Sequence, residues 1–351
     1  MISAIREALL RQRIALARLQ LVSQDTPSAL AQFTQSVRIA FPALSDRETG
    51  SLYARYRLSM RKFGLLKNHL SALDEGQLSR FLDRHVDVEG QEHLDAVKAD
   101  KAPVIFVTPH YGNFPAGCLK LIKEIGRTKT INAFYNPPSK NRSSEGFEEL
   151  FHGLGYGFNA LFNDETAVLK ALRVLKRGEA LTMMPDVFDI SGHVLYVPFF
   201  GRLIPAMAGT ALFALKSRAT IIVGYNCPGE GLKSTLKLGK PLVFERSGKL
   251  DEDIAALTAA IFRELEAQIR QSPEHWIYLR GIGDLLGGRL ILGTGQTDDW
   301  LAALDAATSQ IDAMLPDWPD ALREIKAMHS TENRRRSAAS QLLPTPHKAY
   351  S

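Results

Sequence analysis

Between Val104 and Val107 four apolar residues, three of them β-branched, follow one another without a polar interruption. That is the pattern of a short strand covered on both faces. The chain then turns at Thr108 and Pro109, presents His110, and passes Gly112 and Asn113. Helical spacing begins at about Pro115, with Leu119, Ile122 and Ile125 on one face and a stop at Gly126. A histidine between the carboxyl end of a buried strand and a helix N-terminus stands where α/β sheets place their ligands.

The same alternation runs along the chain. Residues 1–22 read as a helix, with Ile2, Ile5, Leu9, Leu16 and Leu19 apolar and Arg6, Arg11, Arg13 and Arg18 charged. Two uses of it stay open: a helix lying in a membrane interface, or one packed on the protein's own core. Helical segments continue over 28–82, with Pro42 as a break and Ser45-Asp46 as an N-cap. A strand-like piece at 86–90, a helix over 91–100, and strands at 104–107, 130–135, 180–184 and 220–225 follow. Residues 194–200 read as extended, 234–238 and 241–244 as late strands. Helices are expected over 139–154, 166–176 and about 206–217. The strongest helical pattern is capped by Asp251, carries Ile254, Leu257, Ile261, Leu265 and Ile269, and ends at Pro273.

Strands alternating with helices predict an α/β fold with a central, mostly parallel sheet flanked by helices. The expected division is an N-terminal helical segment (1–85), an α/β core (86–286), a C-terminal helical extension (287–329) whose first residues are a Gly-rich linker, and a disordered basic tail (330–351) containing Arg334, Arg335 and Arg336.

Composition narrows the class without naming it. With 45% hydrophobic and 23% charged residues the chain is ordinary globular protein. A net charge of +5 favours anionic partners, whether a membrane surface, a phosphorylated substrate or an acidic carrier protein. Two cysteines, Cys118 and Cys227, exclude a disulfide framework and suit a reducing cytosol. No run approaches the roughly 18 apolar residues that span a bilayer, and no secretory signal is evident, so a soluble or peripheral protein is expected.

Four blocks, in order, resemble the bacterial late acyltransferases of lipid A biosynthesis, the lauroyl/myristoyl transferase family within the glycerolipid acyltransferase superfamily. They are VEGQEHLDAV (88–97) leading into TPHYGNFPAG (108–117), MMPD (183–186), VPFFGRLIPAMAGTALFALKSRATIIVG (197–224) and SPEHWIYL (272–279). The resemblance covers roughly residues 30–283. It implies an acyltransferase core and transfer of an acyl group from an acyl carrier protein or coenzyme A thioester, as donor substrate, to an amine or hydroxyl of a lipid or specialised metabolite. His110 would be the general base, and backbone N–H groups from Gly112 to Ala116 would hold developing negative charge. Asn113, Arg202 and Arg280 would contact substrate, with Arg202 equally readable as a surface salt bridge. No cofactor, no metal and no nucleic acid are implied, and the expected place is the cytoplasm or the cytoplasmic face of the inner membrane.

The chain departs from the family pattern at one position. Where the family's motif has the histidine, four residues, and then an acid that orients the imidazole, this sequence has Pro115. Proline suits the first turn of a helix but cannot orient a base. Three explanations compete: a carboxylate from elsewhere, Asp186 or Asp189; an amine acceptor that needs less activation; or a chain that binds lipid or carrier without catalysing. An aminoacyl transfer from a carrier to a lipid is a further variant. Arg280 is followed by Gly281, so the basic aromatic run expected after Trp276 is reduced to one arginine. Cys118 reads as a small buried hydrophobe, His152 and His193 lack metal-ligand spacing, and the GLGYG of 153–157 reads as a turn.

Overall fold

The computed structural model describes residues 2–22, 27–135, 156–162, 166–186 and 194–287. The expected helix over 139–154, Asp189, His152, His193, and the extension and tail beyond 287 lie outside these residues.

Four helices come first: α1 (Ile2–Val22), α2 (Pro27–Ala40), α3 (Asp46–Ser71) and α4 (Glu75–His85). Ser45 caps α3 with a reciprocal pair, its hydroxyl accepting from the Glu48 N–H while the Glu48 carboxylate accepts from the Ser45 N–H at 2.9 Å. Helix α1 buries Leu10, Ile14 and Ala17 and leaves Ile5, Leu9 and Leu16 about half exposed. It is therefore packed on the chain's own core along one stripe while presenting a second apolar stripe outward.

Next come β1 (Val86–Glu89), α5 (Gln91–Ala99), β2 (Val104–Val107), α6 (Phe114–Ile125), β3 (Ile131–Tyr135), β4 (Phe158–Phe162), α7 (Ala167–Lys176) and β5 (Ala180–Met183). The hairpin β6 (Val194–Phe199) and β7 (Arg202–Met207) follows, then α8 (Gly209–Ser217), β8 (Thr220–Pro228), β9 (Ser234–Pro241), α9 (Leu250–Gln271) and the short α10 (Ile282–Leu286). The fold is mixed α/β. Its seven-stranded sheet runs in the order β1-β9-β8-β2-β5-β3-β4, parallel at every pairing except β8 with β9.

Strand β2 is buried at all four residues because both faces of the sheet are covered. Ile105 and Val107 join the core under α7, α8 and α9, and Val104 and Phe106 join the core under α4, α5 and α6. Four expectations are corrected. Strand β4 was not foreseen, since FNALF offers no clear period of two. Strand β7 was missed because Pro205 and small residues obscure it, and α8 consequently starts at Gly209 rather than near residue 206. The two late strands are one, β9. Asp251 lies inside the first turn of α9, and it is the Asp253 carboxylate that accepts from the Ser247 N–H at 2.7 Å.

Candidate active site

Three segments converge at the carboxyl ends of β2 and β5. The two strands pair in parallel with Val107 opposite Met183, and the Thr108 N–H donates to the Met183 carbonyl at 3.0 Å, extending the ladder by one step. His110 lies three residues beyond Val107, and Asp186 three beyond Met183. Equal steps from a shared register bring them together. The His110 Nδ1 lies 2.8 Å from Asp186 Oδ1, and the His110 backbone N–H donates to Asp186 Oδ2 at 2.8 Å.

The third segment is 275–277, which runs antiparallel to 110–112. Gly112 donates its N–H to the His275 carbonyl at 2.8 Å, and Ile277 donates to the His110 carbonyl at 3.1 Å. This clamp holds Trp276, fully buried, with its indole N–H donating to Asp186 Oδ2 at 2.9 Å. Asp186 is also fully buried and receives three hydrogen bonds, the environment an acceptor-only carboxylate needs. The network assigns the Nδ1 proton to the side of His110 facing Asp186, leaving Nε2 with its lone pair. Nε2 has no partner among the described residues, and the His110 side chain is 16% exposed, so this nitrogen is open to an incoming group.

Rings hold the imidazole edge to face. Phe114 lies 5.1 Å from it and Tyr278 5.2 Å, centroid to centroid. Burial, with the charge of Asp186, pushes the Tyr278 phenol up from its ordinary value, so it is a neutral hydroxyl at any physiological pH. Gly112 has φ +60, and a Cβ there would strike the Asn226 carbonyl oxygen and Pro228, so the turn after His110 requires glycine.

The other expected residues are placed less centrally. Asn113 occupies the N-cap position of α6 and is 5% exposed, but its side chain makes no cap hydrogen bond. Arg202 opens β7 at the tip of the hairpin whose Phe199 and Phe200 pack on Trp276. No hydrogen bond or ion pair joins it to His110 or Asp186. Arg280 is exposed, its carbonyl accepting from the Ser36 hydroxyl at 2.9 Å. The expected row of backbone donors is largely committed elsewhere: Gly112 to His275, Ala116 to the Asn113 carbonyl, with none at Pro115. Among the described residues the Asn113 N–H has no hydrogen-bond partner. Burial pushes the Cys118 thiol up to about 12, which suits a small apolar residue and not a thiolate nucleophile. No cluster of metal-ligating side chains occurs among the described residues.

Sequence reasoning passed over Trp276 and Tyr278 as site residues. The signal was present in the SPEHWIYL block, but its contact with Asp186 depends on a pairing across more than 160 residues of chain. A cavity of about 410 Å³ near β8, lined by Arg218, Leu242, Phe244 and Arg246, opens at the opposite end of the sheet from His110.

Residues 68–281, more than half of the 351-residue chain, match the family model described as bacterial lipid A biosynthesis acyltransferase. No match is found among curated proteins. No helix among the described residues is long and apolar enough to cross a membrane.

Proposed function

Because this chain belongs to the bacterial lipid A biosynthesis acyltransferase family, we propose that it moves an acyl group from a carrier-protein or coenzyme A thioester to a hydroxyl or amine of a lipid or related acceptor, with His110 as general base. The family accounts for acyl transfer to a lipid-like acceptor. The donor, the base and the acceptor group are the proposal's own content, and so is a place of action in the cytoplasm or at the inner face of the membrane.

The observation that carries it is the hydrogen bond of His110 Nδ1 to Asp186 Oδ1 at 2.8 Å. With Nδ1 engaged, Nε2 takes the proton of the incoming hydroxyl or amine as its heavy atom attacks the thioester carbon. The imidazolium so formed is stabilised by Asp186 and returns its proton to the departing thiolate. The Asn113 N–H, at the head of α6, is assigned to share the oxyanion's charge. In this reading Asp186 takes the place of the motif acid that Pro115 cannot supply, so the replacement at 115 does not remove the dyad. Arg202 and Arg280 are assigned to anionic parts of the substrates.

The test is direct. Purified protein is incubated with acyl-loaded carrier protein or acyl-coenzyme A and a panel of hydroxylated and aminated lipids, and products are read by mass spectrometry. Transfer to at least one acceptor that disappears with His110→Ala supports the assignment. Transfer that persists at the wild-type rate in that variant refutes it.

A further inference from the structure

The cavity at the far end of the sheet from His110 takes no part in the proposed mechanism, and its lining is of two kinds. It lies between the C-terminus of α8, the start of β8, the N-terminal half of α9 and the segment that leaves β9. Leu215, Ile221 and Leu257, all buried, form its floor. Leu242 and Phe244, half-buried, form one wall. The Leu242 N–H donates to the Ile221 carbonyl at 2.8 Å and holds that wall to β8. Leu242, Phe244 and Arg246 occupy every second position, the spacing of an extended stretch, so three side chains of one short segment line the hollow. Val243 between them is 90% exposed and does not.

Two arginines, both exposed, stand at the rim, and no carboxylate lines the cavity among the described residues. Arg246 is anchored there: its Nη2 donates to the Leu215 carbonyl at 2.8 Å, and its other guanidinium N–H groups have no partner among the described residues. Arg218 is held against its backbone preference. It closes α8 at φ +57, the left-handed conformation for which glycine is favoured. Its guanidinium makes no hydrogen bond or ion pair among the described residues. Glycine would serve the helix end better, so the side chain at 218 is not explained by the turn. What the position gains is a second cation beside an apolar hollow.

We infer that this cavity is a second ligand site and binds a small amphiphilic anion, with one apolar chain on Leu215, Ile221 and Leu257 and a carboxylate or phosphate at Arg218 and Arg246. Guanidinium groups bond either oxyanion through paired N–H donors, and their weak hydration lets them do so at the edge of an apolar surface. The volume, about 410 Å³, lies near the lower end of small-molecule sites, so it takes a single chain and not a two-chain lipid. None of the residues named here belongs to the site around His110, and the inference stands whether or not the acyl-transfer reading does.

Calorimetry and hydrogen exchange on the full chain test it, with decanoate, decyl phosphate, decanol and inorganic phosphate as probes. The wild type is expected to bind the two anionic chains about tenfold more tightly than decanol or inorganic phosphate, the size of one charge-assisted hydrogen bond at a half-open site. Bound chain should slow exchange over residues 214–219 and 242–246. The head that binds more tightly identifies the oxyanion, and either head supports the site. Arg218→Glu is expected to weaken both anionic chains about tenfold or more. Arg218→Gly should weaken them as well, yet melt at a higher temperature than the wild type because glycine suits the left-handed backbone. The inference is overturned if decanol or inorganic phosphate binds as tightly as the anionic chains, if both Arg218 variants keep the wild-type affinity, or if no probe binds. Protection that falls on residues 108–117 instead places the chain at His110 and likewise overturns it.

Discussion

Asp186 meets His110 twice, through the backbone N–H and through the imidazole Nδ1, each at 2.8 Å. The two contacts fix different things. The backbone bond positions the turn that carries the histidine, and the ring bond sets its tautomer. One buried carboxylate thus joins the loops after two adjacent parallel strands, and Trp276 ties the third segment to the same oxygen as the backbone bond.

Asp186→Asn keeps the shape and inverts one hydrogen-bonding face. An amide NH₂ must then oppose one of three donors, so unfolding in urea is expected at lower concentration, by about 1–3 kcal/mol. Transfer is expected to fall further than stability explains, by about 10³–10⁴, the scale seen when the carboxylate behind a catalytic imidazole is neutralised. Activity within tenfold of wild type in a folded variant would remove Asp186 from the mechanism.

Trp276→Phe removes one donor from Asp186 and leaves both bonds to His110. The expected loss of stability is about 1.5–3 kcal/mol, for a hydrogen bond to a charged group together with the lost indole volume. The fall in kcat is expected to be smaller than for Asp186→Asn. A tryptophan variant as inactive as the aspartate variant, yet equally stable to wild type, would show that the indole does more than hold the carboxylate.

Two glycine substitutions should move stability in opposite directions. Gly112→Ala places a side chain at φ +60 and against the Asn226 carbonyl, so a loss of about 2 kcal/mol or more is expected. Gly64→Ala, inside α3 with nothing within 4 Å of the new Cβ, should stabilise by about 0.5–1 kcal/mol. Thermal melts of the two variants check the pair, and a neutral Gly112→Ala would contradict the turn geometry that presents His110.

Burial lowers the values of His69, His85 and His275 below the ordinary 6.5. Below that pH the unfolded chain binds more protons than the folded one, so stability rises with pH through this window and is lost on acidification. His85 lies 3.0 Å from Glu7, which is buried yet held below its usual range by bonds from His85 and Arg84. Its contribution is kept above about pH 4.5 and lost only as the pH falls through its lowered folded value. The urea midpoint should therefore drop between pH 7.5 and 5.5, and His85→Gln should flatten the drop. A midpoint unchanged across that range would show that these imidazoles protonate in place.

Much of the sheet was readable because its strands are buried on both faces, and VIFV has no polar residue to confuse the pattern. The meeting of His110 and Asp186 was readable for a related reason: in a parallel sheet, residues equally far past paired ends share an edge. What could not be read depends on long-range pairing. Trp276 reaches Asp186 through a bridge to Tyr111, and no local period announces it. The commitment of the Gly112 N–H to His275 was hidden in the same way. Strand β7 was masked by Pro205, a residue tolerated there because, among the described residues, β7 pairs with β6 alone.

The central claim is that His110 Nε2 takes the proton of the incoming group. The most direct test is the single-turnover rate of thioester consumption in the presence of acceptor, compared between wild type and His110→Gln after both are shown to bind the acyl donor equally. The account predicts a rate lower by about 10³ in the variant, with donor binding unchanged. A variant that consumes the thioester at a rate within a few-fold of wild type would contradict it.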